Sequence, residues 1–170
     1  MRVVRPCWYW SLLLAALLSC SESERPTLDL PFTGQWAGSP WVGDASAVLV
    51  DRETGPDTLY IFGSRPRGQP QNSFETVFLR FVPNGPGTYP LQAGQASLMR
   101  LLGGDVVSSV YQTTSSATGS VTLSTYSGPG GLVEGTFAFE AQTTSPSAAY
   151  GPQARFEEGQ FRAVVRRLPQ

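Results

Sequence analysis

Ser120-Val121-Thr122-Leu123-Ser124-Thr125-Tyr126, the turn Ser127-Gly128-Pro129-Gly130-Gly131, and Leu132-Val133-Glu134-Gly135-Thr136-Phe137-Ala138-Phe139-Glu140-Ala141 together spell a β-hairpin. On the first arm Val121, Leu123 and Thr125 alternate with Thr122, Ser124 and Tyr126. On the second, Phe137, Phe139 and Ala141 alternate with Thr136, Ala138 and Glu140. Successive side chains of a strand point to opposite faces, so this alternation marks a sheet with one dry and one wet side. A slip of one residue would turn both phenylalanines into water, which makes the register strongly specified.

Working outward, the same logic repeats in Phe161, Ala163 and Val165 against Arg162 and Arg166. Short runs rich in valine, phenylalanine, tyrosine and threonine, parted by glycine and proline clusters, predict strands over 28–36, 46–51, 58–63, 75–82, 96–102, 106–113, 120–126, 132–141, 153–157 and 160–167. Asp51 to Asp57 reads as a hairpin loop, and Pro83-Asn84-Gly85-Pro86-Gly87 as a turn that ends a strand. No stretch sustains a helical period, and no internal repeat suggests a propeller or solenoid. The expected fold is all-β, an antiparallel meander of about 8–10 strands forming a β-sandwich or an open barrel.

The amino-terminal segment has a different character. Arg2 and Arg5 precede an apolar run from Trp8 to Leu18, and Leu17-Leu18-Ser19-Cys20 closes it. This is the pattern of a bacterial lipobox: a positive region, a hydrophobic region, and a small residue just before the cysteine that becomes the first residue after cleavage. The run is too short for a bilayer span, which needs about 20 apolar residues. Leu17 also fits poorly at the minus-three position of an ordinary secretory signal. The expected organisation is a lipoprotein signal peptide at 1–19, an acylated Cys20 with a polar tether at 20–27, and one all-β domain at 28–170. Each acyl chain contributes about 0.8 kcal/mol per buried methylene, so two or three hold a protein at a membrane. Ser21 at the second mature position lacks the aspartate of inner-membrane retention, which points to the cell envelope with the outer membrane as destination.

Composition excludes much chemistry. Lysine and histidine are absent, and cleavage would leave ten arginines against thirteen carboxylates, a net charge of −3. Without a basic stripe, no nucleic-acid partner is expected. Cys7 leaves with the signal peptide and Cys20 is acylated, so no thiol remains for a disulfide, a metal or a nucleophile. A Ser-His-Asp triad, an imidazole metal site and a Schiff base are ruled out by the missing residue types. Paired-carboxylate chemistry would need two of Asp44, Glu75, Asp105, Glu134 and Glu140 to face each other, and their spacing assembles no such site. Asp51, Glu53, Gly55 and Asp57 imitate a calcium loop, but the glycine comes one position early and Phe62 replaces the bidentate glutamate. The expectation is therefore no enzyme, no metal and no cofactor. The long polar loops at 65–72 and 143–150 are the expected contact surfaces for a protein or glycan partner. Tyr126 and Tyr150, flanked by small residues, are candidate ligand contacts, with Trp36 a third.

Several short motifs fall in a familiar order: Phe32-Thr33 followed by Gly38-Ser39-Pro40-Trp41, Gly87-Thr88-Tyr89-Pro90-Leu91, Gly119-Ser120-Val121-Thr122-Leu123, Glu134-Gly135-Thr136-Phe137-Ala138-Phe139, and Gly159-Gln160-Phe161. In this order the chain resembles a family of uncharacterised bacterial lipoproteins carrying a domain of unknown function. That resemblance implies an all-β fold and a surface lipoprotein, and it implies no reaction. Gly34-Gln35-Trp36 is in addition similar to the glycine-x-tryptophan signature of lipocalin-type barrels. This second resemblance implies a carrier of a small apolar ligand, with Arg166 or Arg167 of the last strand packed over Trp36. An apolar interior on the order of several hundred cubic ångströms would favour the carrier, and a packed interior would remove it.

Overall fold

A computed structural model describes residues 31–67, 73–103, 106–116, 118–143, 145 and 149–168. The signal segment, Cys20 and the tether lie outside the described residues, as does Asp105. Ten strands follow one another: β1 (Pro31–Trp36), β2 (Ser39–Val50), β3 (Thr58–Arg67), β4 (Ser73–Phe81), β5 (Gly87–Pro90), β6 (Ala96–Leu102), β7 (Val106–Gln112), β8 (Gly119–Tyr126), β9 (Leu132–Gln142) and β10 (Gln153–Leu168). None of the described residues forms a helix long and apolar enough to cross a membrane.

All ten strands belong to one sheet, in the order β1-β10-β2-β3-β4-β6-β7-β9-β8-β5, with β1 also paired to β2 and β10 to β9. These pairings run in a circle, β10–β2–β3–β4–β6–β7–β9 and back to β10, so the sheet curls into a barrel. Its seam is narrow. β7 and β9 meet at a single pair, Gln112 with Gln142, while β1 wedges between β10 and β2, and β8 with β5 extends the sheet beyond β9.

The hairpin that opens the sequence reading forms as β8 and β9, with Val121 opposite Phe137 and Thr122 opposite Thr136. Val121, Leu123, Phe137, Phe139 and Ala141 are buried, whereas Thr122, Thr136 and Ala138 are exposed. Four expectations are corrected. β2 begins at Ser39, because Ala37 and Gly38 both take positive φ and make a tight two-residue hairpin from β1. No strand is expected at 87–90, yet the four residues of β5 pair with β8. The strands expected at 153–157 and 160–167 are one strand, β10. Its register slips between Phe156 and Gly159 against β9, with Glu158 at φ 52, so a bulge stands where a turn was read. Finally, the meander is not wholly antiparallel: Val165 to Leu168 of β10 run parallel to Ala47 to Val50 of β2.

Aromatic rings fill the barrel. Phe32 meets Trp41, Phe137, Phe156 and Phe161 at centroid distances of 5.3, 4.9, 6.1 and 6.5 Å. Trp36 meets Tyr111, Phe139, Tyr150 and Phe156 at 5.4 to 6.1 Å. Glycines make room for these rings. A Cβ on Gly63 would lie 2.4 Å from the Phe32 ring, and one on Gly159 2.5 Å from the Phe137 ring.

Candidate functional site

Trp36, a candidate ligand contact in the sequence, is 1% exposed and enclosed by four rings. Tyr150 is half-buried and also points inward. Its hydroxyl donates to Glu75 Oε1 at 2.8 Å, and its backbone N–H donates to the Tyr111 hydroxyl at 2.9 Å. Tyr126 was placed on the wet face by alternation. A register shift between Leu123 and Thr125 turns it instead against the core, half-buried. Burial, then the charge of Asp57, then Tyr89 raise its hydroxyl above the usual tyrosine range, with Arg167 pulling the other way. Trp36 and Tyr150 are thus brought together in one region of the barrel, at 6.0 Å between ring centroids, while Tyr126 lies in another with Asp57, Tyr89 and Arg167.

One of those regions is built on Glu75, fully buried on β4. Arg65 of β3, its cross-strand neighbour, donates from Nε and Nη2 to Glu75 Oε2 at 2.9 and 2.6 Å. Arg65 also stacks 5.0 Å above the Trp41 ring and donates to the Pro40 carbonyl. The arginine that covers a tryptophan in this barrel is therefore Arg65 on Trp41. Arg166 and Arg167 sit ten and eleven residues along β10 from Phe156, the partner of Trp36. Arg167 instead donates to Asp51 at 2.8 Å and Asp57 at 3.1 Å, so the acidic loop is pinned by a guanidinium. Among the described residues no cluster of three or more acids is placed to hold a metal. The remaining candidate acids lie apart on the outside: Asp44 is exposed on β2, Glu134 pairs with Arg162 at 2.8 Å, and Glu140 pairs with Arg155.

The outer surface is two-sided. Over β8, β9, β10 and β1 it is polar: Thr88, Thr122, Thr136, Gln160 and Thr33 form one continuous cross-strand row. Open clefts follow this half, one of them about 720 Å³ and bordered by Gln142, Gln153, Arg155 and Glu157. Over β2, β3, β4, β6 and β7 the outward positions are mixed: Asp44, Ser64, Thr76, Arg80 and Ser97 stand among apolar side chains. Val48 lies opposite Tyr60, Phe62 opposite Phe78, and Phe74 opposite Leu101, which in turn faces Val107. Tyr60 stacks on Phe62 at 6.3 Å and Phe78 meets Phe62 edge-on at 5.3 Å, while Phe74 and Val107 are 40% and 54% exposed.

Strand-by-strand alternation missed this face, although a signal was present. Leu59-Tyr60-Ile61-Phe62 and Val77-Phe78-Leu79 are unbroken apolar runs, the pattern of strands covered on both sides. Inside the barrel Leu59, Ile61, Val77 and Leu79 occupy the core, which leaves Tyr60, Phe62 and Phe78 outside.

No curated protein and no solved structure matches this chain. A family model described as a domain of unknown function, DUF6252, matches residues 32–165. That match begins at Phe32, an inward residue of β1, ends at Val165, an inward residue of β10, and takes in all the strands between. The ten-stranded barrel therefore belongs to the DUF6252 family, whose fold in this chain is all-β.

Proposed function

We propose that the protein is a lipoprotein of the cell envelope, held at the outer membrane by an acylated Cys20, whose barrel is a non-catalytic binding or structural module. The observation that carries this reading is Leu17-Leu18-Ser19-Cys20 behind a short apolar run and two arginines. The non-catalytic part is supported by the fate of the acids: Glu75, Glu134 and Glu140 are each held by an arginine, so their charges are already engaged in the fold. The interior speaks against a carrier of small apolar molecules, because rings fill the space that such a ligand would need. A protein or glycan partner would meet the module from outside.

Metabolic labelling with palmitate, followed by mass spectrometry of the amino-terminal peptide, tests the anchor. Wild type should incorporate label and begin at Cys20. Cys20→Ser should take up none and accumulate as an uncleaved or released form. A mature start downstream of Cys20, or label retained in the serine variant, rejects the assignment.

A further inference from the structure

We propose that Asn84 is a site of spontaneous deamidation, at which the Gly85 nitrogen attacks the Asn84 side-chain amide and the rearranged product releases the edge strand β5. The site is the turn Pro83-Asn84-Gly85-Pro86-Gly87 between β4 and β5, and its chemistry is independent of acylation at Cys20. The chain has two asparagines, Asn72 before Ser73 and Asn84 before Gly85. Glycine has no Cβ to shield its nitrogen. Gly85 takes φ 85, a conformation that side chains disfavour, so the turn itself demands the residue that leaves Asn84 open to attack. Asn84 is exposed, and both residues lie outside the strands, so hydroxide can reach the peptide between them.

The step consumes only water. Hydroxide takes the Gly85 N–H proton, the nitrogen bonds to Asn84 Cγ and closes a succinimide ring, and Nδ2 leaves with the electrons of its broken bond, takes a proton from water and departs as ammonia. Water then opens the ring. Addition at Cγ gives aspartate, whereas addition at the main-chain carbonyl gives isoaspartate, whose main chain runs through the former side chain and is longer by a methylene. Either product adds a negative charge at neutral pH. The surroundings give the longer product a consequence. The Tyr89 hydroxyl accepts the Asn84 N–H at 2.8 Å and donates to the Gly85 carbonyl, so it clamps the reacting peptide on both flanks and leaves the Gly85 nitrogen outside the clamp. Tyr89 belongs to β5 and packs on Phe81 of β4 at 5.0 Å between centroids. Isoaspartate lengthens the path between the two clamped atoms, so one hydroxyl no longer spans them. β5 thereby loses its hold on the turn, and the edge of β8 from Ser120 to Leu123 loses its cover.

The test holds the full chain for weeks at mildly alkaline pH and physiological temperature in heavy-oxygen water, followed by digestion and mass spectrometry. The peptide carrying Asn84 should gain about 3 Da, the exchange of an amide for a carboxyl with one heavy oxygen, and split into aspartyl and isoaspartyl forms on chromatography. The peptide carrying Asn72 should keep its mass. Asn84→Gln, whose longer side chain disfavours ring closure, should abolish the gain. Hydrogen exchange then reads the release. The isoaspartyl form should lose amide protection in β5 and over Ser120 to Leu123, as should fresh Tyr89→Phe, which removes the clamp without the reaction. Aged Asn84→Gln should keep that protection. No gain at Asn84, or a gain at Asn72 in its place, overturns the site. An isoaspartyl form, or Tyr89→Phe, whose β5 exchanges as slowly as in fresh wild type overturns the release.

Discussion

Glu75 shows how one side chain can resemble a catalytic group and serve the fold. It is an acid without solvent exposure, and its partners are the Arg65 guanidinium and the Tyr150 hydroxyl. Breaking a buried ion pair leaves the other charge uncompensated, so Glu75→Ala should lower unfolding stability by about 3 kcal/mol in urea titration. Were Glu75 reserved for chemistry, its removal would leave stability unchanged or raise it. Tyr126 makes a prediction about pH. Its hydroxyl is raised above the ordinary 10.0, first by burial and then by Asp57 and Tyr89. A group whose folded value is raised supports the fold fully below the unfolded value and loses that support as pH rises through the folded one. Wild type should therefore lose stability more steeply than Tyr126→Phe as pH rises from about 10 through the raised folded value, as read from urea midpoints. The role of Glu75 was not visible in the sequence, because Arg65 and Tyr150 stand ten and seventy-five positions away along the chain.

Strand β10 is where local reading and structure part most clearly. Glu157-Glu158-Gly159 looks like a turn, and the positive φ of Glu158 is indeed turn-like. The chain continues straight on because β9 and β1 flank it on both sides, and the extra residue is absorbed as a bulge. Phe156 and Gly159, three apart, thereby both face inward, and Gly159 lies under the Phe137 ring. Gly159→Ala would press a methyl into that ring, so it should cost about 2 kcal/mol, measured as a lower urea midpoint at unchanged slope. The hairpin β8–β9 was legible by contrast, because its alternation, its glycine turn and its pairing are all local. The four-residue strand β5 was not, since its partner β8 begins about thirty residues later.

Closure of the sheet decides what the interior can hold. The rings of Phe32, Trp36, Trp41, Phe137, Phe139 and Phe156 meet one another within the circle of strands. A carrier saturated at 100 times its dissociation constant would gain about 2.7 kcal/mol of stability. Adding monomeric fatty acid to the purified protein should instead leave its Tm where it was; a rise of several degrees would restore the carrier reading. Read along the chain, period-two alternation and the spacing of glycine and proline sufficed for the all-β class, most strand positions and the dry faces of β8, β9 and β10, because side-chain direction in a strand follows from the residues themselves. Which strands become neighbours depends on contacts between distant segments. The parallel docking of β10 on β2, the bulge, the burial of Trp36 and the outward placing of Tyr60, Phe62 and Phe78 were therefore settled only when the sheet closed and gave every strand an inside and an outside.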